Sequence, residues 1–107
     1  MKGQLLKGHL DYLILASVEG EAAHGYGIIQ ELRRRSGGAF DLPEGTVYPA
    51  LHRLEKSKLL ASRWEDHAGR RRCLYRLTAG GRRALAQHRR EWPGFSEAIS
   101  AVLAPVS

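Results

Sequence analysis

The side chains with chemistry to offer here are cations, hydroxyls and rings, and their spacing suits a polyanion better than a reaction. Three consecutive arginines, Arg70, Arg71 and Arg72, follow a turn-like Asp66-His67-Ala68-Gly69. Upstream, Thr46, Tyr48, Pro49, His52, Arg53 and Lys56 interleave with Val47, Leu51 and Leu54, which sit at i, i+4 and i+7. That spacing turns the apolar residues to one helix face and the polar ones to the other. Thr and Tyr hydroxyls reach phosphates or base edges, and His, Arg and Lys reach phosphates or guanine acceptors. The 107 residues include 17 Lys and Arg against 11 Asp and Glu, a formal charge of +6. Residues 1–66 hold nine bases and nine acids, so the whole excess falls in residues 67–107, between Arg70 and Arg90. Each phosphate neutralised by such a patch releases counterions. The bland alternative is a solvated basic face, and the elements carrying the arginines decide between the two.

Other chemistries find little support. Gly25-Tyr26-Gly27 lacks the third glycine and the preceding strand of a phosphate loop. No Ser-His-Asp set or carboxylate pair stands out, so no enzyme is expected. The histidines at 9, 24, 52, 67 and 88 are not paired at i, i+3 or i+4, so neither a metal nor a cofactor is expected. Cys73 is the single cysteine, which excludes an internal disulfide framework. Its alternation with Tyr75 and Leu77 predicts an inert, buried strand position. The length allows one small core. No run approaches the roughly 18 apolar residues of a membrane span. Lys7, His9 and Asp11 interrupt the early apolar pieces and no small-residue cleavage site follows, which points to a cytoplasmic protein with no membrane partner.

These residues must be positioned by elements, and the pattern predicts four helices and a hairpin. A helix is expected over 8–18, with Leu10, Leu13, Ile14 and Ser17 on one face. Residues 19–24 read as a polar link. A second helix covers 25–35, with Tyr26, Ile29 and Leu32 in phase, Arg33–Arg35 in its last turn, and Gly37-Gly38 ending it. A third runs over 43–56, with Pro49 placed in its first turn, where a missing N–H costs little. Strands at 61–65 and 72–77 form a hairpin, and Thr78 caps a last helix. In that helix Leu85, His88, Trp92, Phe95, Ile99 and Val102 are spaced 3, 4, 3, 4, 3, the seam of a helix packed on another helix. Pro93-Gly94 interrupts it and predicts a kink or a fresh start. Trp92 and Phe95 are either interface packing or a stacking surface for a planar ligand. Arg82, Arg83, Arg89 and Arg90 read as decoration of this helix.

The expected fold is mainly α with a small β-hairpin wing: a winged helix-turn-helix over residues 1–78 and a dimerisation helix over 79–107. In such a fold the helix over 43–56 lies in a major groove and the wing over 61–77 meets the backbone or an adjacent minor groove. Arg71 and its neighbours thus fall on the element that the architecture points at the polyanion.

At this level the sequence resembles the PadR family of bacterial transcriptional regulators over residues 5–81. The carrying segments are LDYLILASV (10–18), HGYGIIQELRRRSGG (24–38), LPEGTVYPALHRLEKSKLL (42–60) and GRRRCLYRLTAGGRRAL (69–85). The short tail resembles the small-tailed branch, with one long C-terminal helix. The resemblance implies a homodimer held by that helix, a repressor that binds roughly palindromic double-stranded DNA, and DNA-surface positions at Thr46, Tyr48, Arg71 and Arg72. It also implies a site between subunits for an aromatic or cationic effector that releases the DNA. The departure is Pro93-Gly94 within the dimer helix. The alternative is a winged-helix module that binds a ligand or a protein without specific DNA recognition.

Overall fold

A computed structural model describes Leu6 and residues 8–106 of the chain. Helix α1 is Leu10–Ser17, and Gly8, at φ +88°, lies outside it, two residues later than the spacing alone predicts. Helix α2 spans Gly25–Arg35 and closes as expected. Gly37 takes the left-handed conformation, its N–H donates to Arg34 O at 3.2 Å, and Gly38 N–H donates to Arg33 O at 2.8 Å. Helix α3 spans Glu44–Lys56, with Pro43 as its N-cap. The same C-terminal closure ends it, but with Lys58 in the left-handed position at φ 63°.

Strands β2, Leu60–His67, and β3, Arg70–Leu77, pair antiparallel from Leu60↔Leu77 out to His67↔Arg70. The turn is therefore the two residues Ala68-Gly69, both at positive φ, the geometry that matches strand twist. Asp66 and His67, expected in the turn, belong to the strand. The polar link also needs correction. Ala23–His24 forms a third strand, β1, against Tyr75 and Leu74, giving the sheet order β1-β3-β2. Two residues are too few to show an alternation, which is why the pattern does not reveal β1.

Helix α4, Ala79–Leu103, is one uninterrupted helix, so the fresh start at Pro93 does not occur. Residues 89–95 are all exposed, so water reaches the carbonyl that proline leaves without its donor. Thr78 caps the helix, its Oγ accepting from Gly81 N–H at 2.9 Å. Its hydroxyl donates to Lys58 O at 2.7 Å, tying the end of α3 to the start of α4. A Cβ on Gly81 would stand 2.2 Å from Leu59 O, so only glycine allows α4 to start this close to the base of the wing. The core lies among α1, α2, α3 and the sheet base: Ile14, Leu15, Ile28, Val47, Leu51, Leu54 and Leu60 are fully buried. Each such side chain contributes roughly 1.5–3 kcal/mol.

Candidate nucleic-acid interface

Helix α3 buries Val47, Ala50, Leu51 and Leu54 and turns Pro49, His52, Arg53 and Lys56 to solvent. Glu44 is its first residue, so Pro49 falls in the second turn and not the first. Gly45 then loses the donor for its carbonyl, but both residues are exposed and water can replace that bond. Thr46 and Tyr48, both half-buried, flank the outer face on opposite sides, since two residues along a helix lie about 160° apart around the axis. Arg53 is not free: its guanidinium pairs with Asp11 on α1. That partner lies 42 positions earlier in the chain and was not anticipated from sequence.

Tyr48 faces inward along the surface, towards the start of α2. A Cβ on Gly25 would come within 2.6 Å of the Tyr48 ring, so glycine at 25 is what lets the ring lie flat there. Together Gly25, Tyr26, Tyr48, Trp64, Arg71 and Tyr75 line an open groove of about 540 Å³ between α2, α3 and the wing. Tyr75 is its buried floor, and burial pushes the phenol well above its ordinary pKa.

Strand alternation divides the three wing arginines. Register puts Arg71, Cys73 and Tyr75 on the face shared with Asp66, Trp64 and Ser62; Trp64, Arg71, Cys73 and Tyr75 line the groove, and Arg72 borders it from the other face. Arg72 belongs to the opposite face with Glu65, whose Oε1 lies 4.0 Å from Arg72 Nη2 and 3.4 Å from His24 Nε2. His24 Nδ1 lies 3.3 Å from Cys73 O, so the imidazole ties β1 to both longer strands. Arg72 is half-buried, whereas Arg70 and Arg71 are exposed. Cys73, expected at a buried strand position, is half-buried, packing against the core on one side and bordering the groove on the other. Trp64 carries the Arg71 guanidinium over its ring, with Cζ 5.4 Å from the centroid. The sequence pattern offered Trp64 and Gly25 no role, although Trp64 becomes legible once the hairpin register pairs it with Cys73. Tyr26, expected in phase with Ile29 and Leu32 on the core face of α2, instead stands exposed at the groove.

The last helix divides at its middle. Leu85 is buried in the chain's own core and so is not part of a free seam. His88 stacks on Tyr12 of α1, with ring centroids 3.8 Å apart and planes within 1°. His9 meets Trp92 edge-on at 5.2 Å, and Phe95 follows at 6.0 Å from Trp92. His9, Tyr12, Leu85, His88 and Trp92 line a shallow, open pocket of about 260 Å³ between α1 and α4. Beyond it Trp92, Phe95, Ile99 and Val102 stand exposed, Val102 at 84%. Arg89 holds this helix to the end of α1 through Glu19, at 2.7 and 2.8 Å, and the guanidinium keeps the Glu19 carboxyl below the usual carboxylate range. Among the described residues no cluster of His, Cys, Asp or Glu could hold a metal ion, and no helix is long and apolar enough to cross a membrane.

Three core helices, a three-stranded sheet whose long hairpin carries exposed arginines and a long terminal helix define a winged-helix fold. Residues 14–87 match the family described as the transcriptional regulator PadR-like family. The chain belongs to that family. It is 42% identical over 77 residues to the transcriptional regulator Rv3488 of Mycobacterium tuberculosis, covering 72% of this chain and 69% of that one. The structure of a transcriptional regulator from Clostridium thermocellum superposes with a TM-score of 0.86 at 26% identity, covering 97% and 99% of the two chains. Bacillus subtilis PadR, solved in complex with operator DNA, shares the fold at a TM-score of 0.68 and 22% identity, over 74% of this chain and 45% of that one.

Proposed function

We propose that this transcriptional regulator is a homodimeric repressor that binds a palindromic operator through α3 and the wing. The observation that carries the reading is the common groove: Tyr48 of α3 and Arg71 of the wing line one open surface, with the start of α2 between them. A wing that reaches backbone or minor groove while α3 enters the major groove places its cations on that surface. Thr46, Tyr48, Pro49, His52 and Lys56 are the α3 contacts, and Arg70 and Arg71 the principal wing contacts. Arg72 and Arg53 act only after exchanging Glu65 and Asp11 for phosphate. The operator complex of the Bacillus subtilis relative supports DNA as the partner. Residues 1–78 serve as the DNA-binding unit and 79–107 as the dimerisation unit, with Trp92, Phe95, Ile99 and Val102 covered by the second subunit.

The pocket between α1 and α4 supports a further part of the reading, an aromatic effector. Four rings, His9, Tyr12, His88 and Trp92, line it beside Leu13, Ala16 and Leu85, a surface that suits a planar ligand. A ligand that favours one dimer geometry shifts DNA affinity by its differential affinity for the two.

Fluorescence anisotropy with a labelled duplex from upstream of the coding sequence tests the DNA reading. Binding that survives excess random duplex is expected. With Arg71→Ala, affinity falls and the slope of log K against log salt flattens by about one unit. An unchanged slope removes Arg71 from the interface.

A further inference from the structure

We propose that Trp64 is the positioning residue for Arg71: its ring is the platform that holds the guanidinium at the mouth of the groove, ready for a phosphate. The inference rests on the DNA reading above and extends it to a residue that reading does not use.

The wing offers Arg71 two partners. Asp66 stands opposite it in the β2–β3 ladder, and Trp64 lies one same-face position nearer the base of the hairpin. The guanidinium lies over the Trp64 ring, and no ion pair with Asp66 forms within 4.0 Å among the described residues. Its neighbour Arg72 makes the opposite choice and is drawn to Glu65. The difference matters for a polyanion. A carboxylate neutralises an arginine and must be displaced before phosphate binds. A ring face attracts the cation through its quadrupole, restricts its rotamers and leaves its full charge and N–H donors available.

Exposure supports the same role. Trp64 is 62% exposed, an unusual setting for the largest apolar side chain, and it is not part of the core. It lines a groove that Tyr26 and Tyr48 also line, with Tyr75 as the floor. An indole spent on the surface, stacked under a cation and facing a cleft, contributes little to folding and much to preorganisation. A long, flexible arginine otherwise loses rotamer freedom when it engages a phosphate, and holding it beforehand removes part of that cost.

The test compares the full chain carrying Trp64→Phe, Trp64→Leu, Arg71→Ala, and Trp64→Leu with Arg71→Ala together, each checked for an unchanged melting temperature. In the free protein, NMR should show the Arg71 side-chain protons displaced upfield by the indole, and the displacement should vanish in Trp64→Leu. By anisotropy against the same duplex, Trp64→Leu should weaken binding by about 2–5-fold, and Trp64→Phe, which keeps a ring face, should recover most of it. In the double variant, Arg71→Ala should cost less than it does alone, because without the Trp64 ring Arg71 has already lost its positioning. An absent ring-current displacement, or strictly additive losses, overturns the proposal while leaving the DNA reading in place. A wild-type protein that binds no duplex overturns both.

Discussion

Single residues here are chosen for the space and backbone they permit as much as for what they touch. Gly25 is the clearest case. It carries no reactive group, yet its missing Cβ is what allows the Tyr48 ring to lie against α2. Gly25→Ala should therefore displace Tyr48 and weaken DNA binding several-fold with little loss of stability, since the ring is half-buried and can swing outward. Melting curves beside anisotropy check this, and unchanged DNA binding contradicts it. Ala68 shows the converse. It holds φ 51° in a two-residue turn that favours glycine or asparagine. Ala68→Gly should raise stability by a few tenths to about 1 kcal/mol, measured by denaturant unfolding, because the strain of a left-handed Cβ disappears. A loss of stability would mean that unfolded-chain entropy outweighs that strain. The sequence pattern named most of the polar surface of α3 correctly in type. It missed which cations are occupied: the Arg53–Asp11 pair joins distant positions, and no local spacing encodes it.

At the scale of elements, period and punctuation carried the helices. The limits of α2 and its glycine closure, and the Thr78 cap of α4, follow from residues that have one strong physical preference. The wing was harder. Its existence was legible from alternation around Ala68-Gly69, but the run of three arginines hid that successive strand side chains point to opposite faces. The fresh start expected at Pro93 does not occur for another reason, since a solvated proline can sit in a helix where the carbonyl one turn back is open to water. The attachment of α4 to the α1 end rests on the Glu19–Arg89 pair, and its pH dependence has a definite sign. The folded Glu19 carboxyl titrates lower than in the unfolded chain, so its contribution is full above the ordinary carboxylate range. It is lost as pH falls through the depressed folded value. Solvent screening keeps it below about 1 kcal/mol. Glu19→Gln should lower the melting temperature by a few degrees at neutral pH and make no difference near pH 2. Equal melting at neutral pH would show that the pair contributes nothing.

The whole molecule measures 62 × 27 × 21 Å, elongated because half of α4 extends past the rest of the chain. That half exposes Trp92, Phe95, Ile99 and Val102 in one phase. An exposed apolar stripe of this kind on one helix is the surface that a second copy would cover. Ile99→Asp should give a monomer by sedimentation and lower operator affinity by at least an order of magnitude, because two half-sites no longer bind together. A dimer that persists would move the interface elsewhere. In the proposed function, the α3 outer face and the wing read a duplex in sequence-specific fashion. Selection of the wild-type chain against a pool of randomised duplexes tests it most directly. Enrichment of an inverted repeat with half-sites centred about 10–10.5 base pairs apart is the expected outcome. A pool that remains random after repeated rounds, while the protein stays folded and dimeric, would contradict it and leave the basic wing an electrostatic surface without a code.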